Sequence, residues 1–232
     1  MKITWLGHSA FRVETGSSVI MFDPFLTGNP SFSGDVAEAS KGATHVALTH
    51  GHDDHVGDTM KICADNEAML VANFEICMYL NGKGLKRISP GNHGGTIEFD
   101  DFTLSFVQAW HSSSTMVDGV PVYLGNPAGL ILTSKAEPGK ILYHMGDTDI
   151  FSDMALINEI YKPTIGIVPV GDRFTMGGEL AAMACKKFFE FETIFPCHFG
   201  TFPIIEPSAD KFIQAMNGHN VLVPNVSDVI EI

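Results

Sequence analysis

A dense group of potential metal ligands occupies residues 49–55, which read Thr-His-Gly-His-Asp-Asp-His. Three imidazoles and two carboxylates follow directly after the apolar run 46–48, which is typical of the end of a buried strand. Neutral imidazole nitrogens and ionised carboxylates are the ligands that zinc, iron and manganese accept. Burying so many of them without a cation would be costly. The pattern therefore predicts half of a two-metal site.

The spacing divides these residues into two pairs. His50 and His52 are two positions apart, so on extended backbone they point the same way and can share one ion. Asp54 and His55 follow where the chain turns toward a helix, and we expect them to face a neighbouring position. The alternatives are a chance cluster of surface histidines, or a helix N-terminus capped by Asp53 or Asp54.

Two more histidines follow predicted strands. His111 comes after the apolar segment 102–109 and is the expected third imidazole beside the first pair. His198 comes after the apolar segment 193–197 and is expected to complete the ligand set of the second pair.

Asp147 follows the predicted strand 140–145. A site for two ions needs a ligand that spans both, and a carboxylate with two oxygens can do so where a histidine cannot. The alternative is that Asp147 caps the helix predicted at 152–161, although Ser152 and Asp153 are better placed for that role.

Asp23 and His8 are further candidates. Asp23 ends an apolar strand, and we expect it to accept N–H groups of a neighbouring loop rather than to bind metal. His8 lies in the tight turn 6–10, and spacing alone leaves open whether it is an exposed turn residue or part of the site. The remaining histidines are expected to be structural or solvated: His45, His93, His144 and His219.

The elements that must position these residues begin as an antiparallel meander and continue as alternating strands and helices. A loop at 24–44, rich in Gly, Pro and Ser, is predicted to form one wall of the site, and the serines at 112–114 are predicted to be flexible. The predicted strands are 2–6, 10–14, 18–23, 45–49, 69–72, 94–99, 102–109, 128–133, 140–145, 165–170, 193–197, 221–223 and 229–232. The predicted helices are 36–40, 57–65, 74–80, 152–161, 178–189 and 209–216.

Composition restricts the partners. The chain has 232 residues without a linker or repeat, so we expect one domain spanning 1–232. A net charge of -13 argues against nucleic acid or an anionic membrane as partner and favours a small-molecule substrate. Whether the chain forms a homo-oligomer stays open. The strand-like start and the lack of a long apolar run predict a cytoplasmic protein without a signal peptide. The four cysteines are expected to be buried thiols, with a metal-binding role left open for Cys197.

These residues resemble the metallo-β-lactamase superfamily, whose five motifs they match in order: Asp23, the 50–55 segment, His111, Asp147 and His198. The resemblance implies an α/β (α+β) fold, a four-layer αββα sandwich of two mixed sheets with helices on the outer faces. It implies one metal bound by His50, His52 and His111, a second by Asp54, His55 and His198, and Asp147 between them. Asp147 stands where β-lactamases carry Cys, so a glyoxalase II or lactonase type of site is expected.

The segments 5–11 and 171–177 resemble a group of small bacterial and archaeal metal-dependent hydrolases related to L-ascorbate-6-phosphate lactonase. That likeness implies that His8 faces the cleft, while the roles of Asp172 and Arg173 stay open.

The predicted function is hydrolysis of a small ester, lactone or related bond by a hydroxide held between two divalent metal ions. Zinc is the first expectation, and manganese, iron or nickel also suit the ligands. Asp54 is expected to orient the water. His8, or His198 if it is only loosely bound to metal, is expected to hydrogen-bond the oxyanion or protonate the leaving group. The alternatives are a phosphodiesterase, an iron-dependent redox enzyme on the same ligands, or a metal-stabilised scaffold without activity.

Overall fold

A computed structural model describes residues 1–232, which form two mixed β-sheets, a separate two-stranded hairpin and seven helices. The strands are β1 (Lys2–Trp5), β2 (Phe11–Thr15), β3 (Ser18–Phe22), β4 (His45–Ala47), β5 (Met69–Asn73), β6 (Ile88–Gly91), β7 (Thr96–Glu98), β8 (Phe102–Gln108), β9 (Ser114–Val117), β10 (Val120–Tyr123), β11 (Ala128–Ser134), β12 (Ile141–His144), β13 (Ile165–Pro169), β14 (Thr193–Cys197) and β15 (Val229–Glu231). The helices are α1 (Val36–Ala39), α2 (Asp53–Val56), α3 (Thr59–Asn66), α4 (Phe74–Gly82), α5 (Met154–Tyr161), α6 (Gly178–Phe188) and α7 (Asp210–Met216). None of these helices has the length and hydropathy required to cross a lipid bilayer.

The first sheet has the strand order β15-β1-β2-β3-β4-β5-β6. The meander β1 to β3 is antiparallel, as predicted, and β3 to β6 run parallel to one another. The second sheet has the order β14-β13-β12-β11-β8-β7, in which β12, β13 and β14 are parallel. Both sheets are therefore mixed.

The inner faces of the two sheets share one hydrophobic core. Phe11 and Phe22 of the first sheet and Leu104 and Leu130 of the second are fully buried in the same cluster. Burying each of these side chains stabilises the fold by about 1.5–3 kcal/mol.

Side chains on the opposite face of the first sheet, such as Met21 and Leu70, form a second core with α3 and α4. Helices α5 to α7 add Ile157, Ala181 and Phe212 beside the second sheet. The predicted α/β fold with four layers is confirmed.

Strand direction places the candidate site at one edge of both sheets. Asp23 follows β3 and the 49–55 segment follows its parallel neighbour β4. Asp147 follows β12, and His198 follows β14 in the same parallel set. Because the carboxyl ends of parallel strands meet at one edge, residues far apart in the chain come together there.

Three parts of the secondary structure differ from the prediction. The helix predicted at 57–65 is α3, which begins at Thr59, and a separate short helix, α2, precedes it; Gly57 between the two has φ +38°, and a Cβ there would lie 2.5 Å from the backbone of Phe25. Strand β6 and the hairpin β9–β10 were not predicted; β6 contains Pro90, which is tolerated because this strand lies at a sheet edge. The predicted strand 221–223 is only an isolated bridge between Val221 and Ile194, next to a proline that cannot donate a hydrogen bond.

Candidate metal centre

The predicted ligands converge on the edge described above. The ligand atoms of His50, His52 and His111 lie within 4.8 Å of one another, which makes them one group. Asp54, His55 and His198 form a second group under the same limit, together with His8. The two pairs inferred from spacing thus lie in separate groups, each joined by a histidine that is distant in sequence, His111 in the first and His198 in the second.

Asp147 lies between the two groups. Its Oδ1 is 3.4 Å from His55 Nε2, and its Oδ2 is 3.1 Å from His198 Nε2. The same Oδ2 is 3.6 Å from His111 Nε2 and 3.9 Å from His50 Nε2. One carboxylate therefore approaches the Nε2 atoms of histidines in both groups.

Asp23 holds two residues of the site by hydrogen bonds, Thr49 and His55. Its Oδ1 accepts the backbone N–H of Thr49 at 2.8 Å, and its Oδ2 accepts the Thr49 hydroxyl at 2.6 Å and His55 Nδ1–H at 2.8 Å. With its proton on Nδ1, His55 presents the lone pair of Nε2 to the site. As predicted from the sequence, Asp23 accepts N–H groups of the neighbouring 49–55 segment.

Thr49 extends this support to His50. The only hydroxyl proton of Thr49 goes to Asp23, so its oxygen acts as acceptor toward His50 Nδ1, 3.0 Å away. That contact holds the proton of His50 on Nδ1 and turns Nε2 toward His52 Nδ1, which lies at 3.0 Å. Asp23 therefore orients two histidines, one directly and one through Thr49.

Ser113 holds the turn between His50 and His52. Its hydroxyl oxygen accepts the N–H of Gly51 at 3.0 Å and donates to the carbonyl of Leu124 at 3.0 Å. The sequence prediction that residues 112–114 are flexible is therefore wrong at Ser113, which is buried and links the metal-binding segment to the hairpin β9–β10.

His8 is fully buried behind Asp54. Its Nε2 lies 3.1 Å from Asp54 Oδ2 and its Nδ1 lies 3.0 Å from Thr201 Oγ1. Burial lowers the pKa of His8 to about 4, so the ring is neutral near pH 7. A neutral ring satisfies both contacts if Thr201 donates to Nδ1 and Nε2–H donates to the carboxylate.

His198 is held by backbone rather than by a side chain. It has φ +59°, and its carbonyl approaches Gly171 so closely that a Cβ there would lie 1.9 Å from the oxygen. Its Nε2 faces Asp147, whereas its Nδ1 is buried without a hydrogen-bond partner. No second group therefore determines which nitrogen of His198 carries the proton.

The charges within the site favour a bound cation. Burial lowers the pKa of His50, so its imidazole is neutral and can offer a lone pair. Burial would also lower the pKa of His55, but the Asp147 and Asp23 carboxylates outweigh it and raise that pKa well above its usual value. Burial opposes ionisation of Asp147, yet His198 and His55 hold its pKa well below the usual range. Without a metal, the proton on His55 supplies the positive charge between the carboxylates of Asp23 and Asp147.

Three buried atoms of this cluster lack any partner: His198 Nδ1 and the neighbouring pair His55 Nε2 and Asp147 Oδ1. An orphaned imidazole nitrogen beside an orphaned carboxylate oxygen is the arrangement that a divalent cation would satisfy. Nitrogen and oxygen donors alone make up the set, because burial raises the pKa of the neighbouring Cys197 and keeps its thiol protonated. The residues present therefore fit a metal ion.

The other histidines have the structural roles expected of them. His144 is buried and accepts the N–H of Gly146 at 3.0 Å through Nδ1, while its Nε2 lies 3.2 Å from the carbonyl of Ser9. The sequence analysis missed three polar supports: Thr49, Ser113 and Thr201. Only Thr49, adjacent to the motif, carried a signal in the sequence.

Comparison with known proteins agrees with this geometry. The family model described as the beta-lactamase superfamily domain matches residues 2–198. A metal-dependent hydrolase of Methylocella silvestris is 59% identical over 223 residues, which cover 96% of this chain and 95% of the relative. One from Mesorhizobium japonicum is 56% identical over 237 residues and covers 100% of both chains.

A solved structure of the metallo hydrolase Igni18 from Ignicoccus hospitalis superposes with a TM-score of 0.87 at 32% identity, covering 99% of this chain and 97% of that one. The chain therefore belongs to the metallo-β-lactamase superfamily, within a group of metal-dependent hydrolases.

Proposed function

We propose that residues 1–232 form one domain that hydrolyses a small carboxylic ester or lactone at a centre of two divalent cations. The proposed ligands of the first ion are His50, His52 and His111, those of the second are Asp54, His55 and His198, and Asp147 spans both. The observation that carries the proposal is the pair of buried, unpartnered atoms on His55 and Asp147, between two groups of histidines.

The ions would supply the chemistry that the chain lacks. When bound, a pair of divalent cations provides Lewis acidity and lowers the pKa of coordinated water toward neutrality; zinc is the expected metal, and manganese, iron or nickel suit the same ligands. The protein's contribution is to hold the imidazoles and ionised carboxylates in place before any ion arrives, and the proton on His55 would leave when an ion binds.

Asp54 is the proposed residue that orients the attacking water. Its Oδ2 is occupied by His8, which leaves Oδ1 for a further contact, and its side chain is 30% exposed. Burial would raise the pKa of Asp54, but the hydrogen bond from His8 and the nearby His55 lower it, so the group remains a carboxylate. His8 acts as a positioning residue in this proposal, because both of its ring nitrogens are already engaged.

His198 is the proposed proton donor to the leaving group if it is only loosely bound to the second ion, because Nε2 cannot carry a proton while it binds metal and Nδ1 is buried. Its Nε2 is also within 4.0 Å of Asp54 Oδ2, which places it beside the residue that would orient the water.

The proposal is tested by metal analysis of protein purified without added metal, followed by a panel of lactones, carboxylic esters, thioesters and phosphodiesters. We expect two divalent ions per chain and turnover of lactones or esters. The variant Asp147→Ala should lose metal and activity together, whereas Asp149→Ala, at an exposed carboxylate two residues away, should retain both. Full metal content with undiminished turnover in Asp147→Ala would refute the bridging role, and turnover of phosphodiesters alone would refute the substrate class.

A further inference from the structure

A groove adjoins the centre at His111. It consists of two neighbouring cavities of about 450 and 360 Å³, both lined by His111, Asn126 and Pro127; we call it the His111 groove. Its volume is within the range of pockets that bind small molecules.

The groove reaches the centre at His111, whose side chain is 14% exposed and lines both cavities. The other partly exposed ligand with a stated value, Asp54, is 30% exposed and lines neither cavity, whereas the side chains of His50, His55, Asp147 and His198 are at most 3% exposed. Ser112, which also lines the groove, has its hydroxyl 3.3 Å from His52 Nε2. A substrate that reaches the first ion past His111 would therefore extend into the His111 groove.

Two exposed aromatic side chains flank this groove. Trp110 is 61% exposed and Tyr123 is 64% exposed, although most large apolar side chains of the protein are buried. The backbone N–H of Trp110 donates to Thr148 Oγ1 at 2.9 Å, which fixes the backbone that carries the indole, and the hydroxyl of Tyr123 donates to Asn126 Oδ1 at 2.9 Å. Aromatic rings held in place at a groove offer flat faces for stacking against a ring of a ligand.

The polar part of the lining consists of amides, hydroxyls and the imidazoles of His93 and His111. Gln108, Asn126 and serine hydroxyls provide neutral donors and acceptors, and no Lys, Arg, Asp or Glu lines either cavity. Phosphate and carboxylate groups are usually held by Arg or Lys. The net charge of -13 would in addition repel an anion as it approaches. Arg173, in the loop after β13, is not part of the lining.

We propose that the His111 groove binds an uncharged, ring-containing part of the substrate, and that the protein discriminates against phosphorylated and other anionic substrates. This inference rests on the proposed function, because it assigns the substrate class of the same site. Stacking on Trp110 and Tyr123 provides the affinity, and the neutral side chains Gln108 and Asn126 provide hydrogen bonds to polar substituents.

Binding is tested first in metal-free protein, where an anionic ligand cannot gain affinity by coordinating an ion. The chain has two tryptophans; Trp5 is buried against Phe199, so Trp110 is the exposed reporter of the groove. Benzamide and benzoate have the same ring and differ in charge. We expect benzamide to change the Trp110 emission with saturation, and benzoate to bind at least about 10-fold more weakly.

Variants locate this binding. Tyr123→Ala should weaken benzamide binding by about 3- to 10-fold, the range of one aromatic contact. Trp110→Ala should weaken it similarly when binding is followed by calorimetry. Ile160→Ala, at a 67% exposed side chain on α5, is the control and should have no effect. Equal binding of benzoate, or unchanged affinity in both groove variants, would overturn the proposal.

Turnover separates this proposal from the proposed function. In metal-loaded protein, kcat/KM for phenyl acetate should exceed that for 4-acetoxybenzoate by about 10-fold or more, and Tyr123→Ala should raise KM more than it lowers kcat. Benzamide binding without hydrolysis of any ester or lactone would refute the proposed function and leave the groove assignment intact. A preference for the anionic ester that is lost in Arg173→Ala would refute the groove assignment and leave hydrolysis intact.

Discussion

Asp23 touches none of the ions in the proposed centre, yet we expect its replacement by Asn to weaken metal binding strongly. The carboxylate accepts three hydrogen bonds, two from Thr49 and one from His55. An Asn amide has one oxygen and an NH₂ group, so it cannot accept all three. An NH₂ group facing His55 would favour the tautomer with its proton on Nε2, the atom that must bind metal.

The expected size follows from these contacts. Loss of a group that orients a metal-binding histidine costs about 10- to 100-fold in metal affinity, or about 1.4–2.7 kcal/mol. The metal-free protein should also be destabilised by up to about 3 kcal/mol, because the buried positive charge on His55 loses Asp23 and keeps only Asp147 as a carboxylate partner. Competition with a chelator of known affinity measures the first quantity, and urea denaturation measures the second.

Asp58→Asn is a matched control. Asp58 also accepts three hydrogen bonds, from the backbone N–H groups of Leu26 and Thr27 and from the Thr27 hydroxyl, but it contacts no histidine. Asp58→Asn should cost about 1 kcal/mol of stability and leave metal affinity unchanged. Wild-type affinity in Asp23→Asn, or an equal loss in Asp58→Asn, would refute the reasoning. If Asp23→Asn does not fold, Thr49→Val removes the link to His50 alone and should still weaken metal binding about 10-fold.

Three other outcomes can be checked. His8→Phe removes the hydrogen-bond donor to Asp54 and should weaken binding of one of the two ions by about 10-fold in a two-site titration. His8→Gln should recover part of the lost affinity. Equal affinities in the two variants would contradict the positioning role of His8. All four cysteines are buried, and burial raises each pKa, so a thiol reagent at pH 8 should label none of them before denaturation; stoichiometric labelling of the native protein would be inconsistent with the fold. Burial, and to a lesser degree Arg87, lowers the pKa of His45 to about 4. Between about pH 6.5 and pH 4 the unfolded chain therefore binds more protons than the folded one, so the free energy of unfolding falls as the pH is lowered through that window. After allowance for solvent screening, His45→Gln should reduce that loss by up to about 2 kcal/mol in urea denaturation at pH 7 and pH 4, and an unchanged acid sensitivity would exclude His45 as a contributor.

The local sequence was sufficient to predict the strands that precede the site residues. The apolar runs that precede Asp23, Asp147 and His198 are short, bounded by polar residues, and correspond to β3, β12 and β14 within one or two residues. A buried strand shows such a pattern because its burial is reflected in consecutive residues. The hairpin β9–β10 was missed, although its two strands are close in sequence and pair only with each other. The hairpin β9–β10 exposes Met116, Val120 and Tyr123, so it carries no clear alternation of buried and exposed positions.

The sequence by itself determined which side chains could bind a metal and how they divide into pairs, because residues two to five positions apart are held near one another by the backbone. Only the tertiary structure decided what orients them. His8 contacts Thr201, which is 193 positions away in the sequence, and Gly51 contacts Ser113, which is 62 positions away. No local pattern can encode contacts that depend on how the two sheets pack. The same holds for the His111 groove, whose lining comes from separate segments that fold around one histidine.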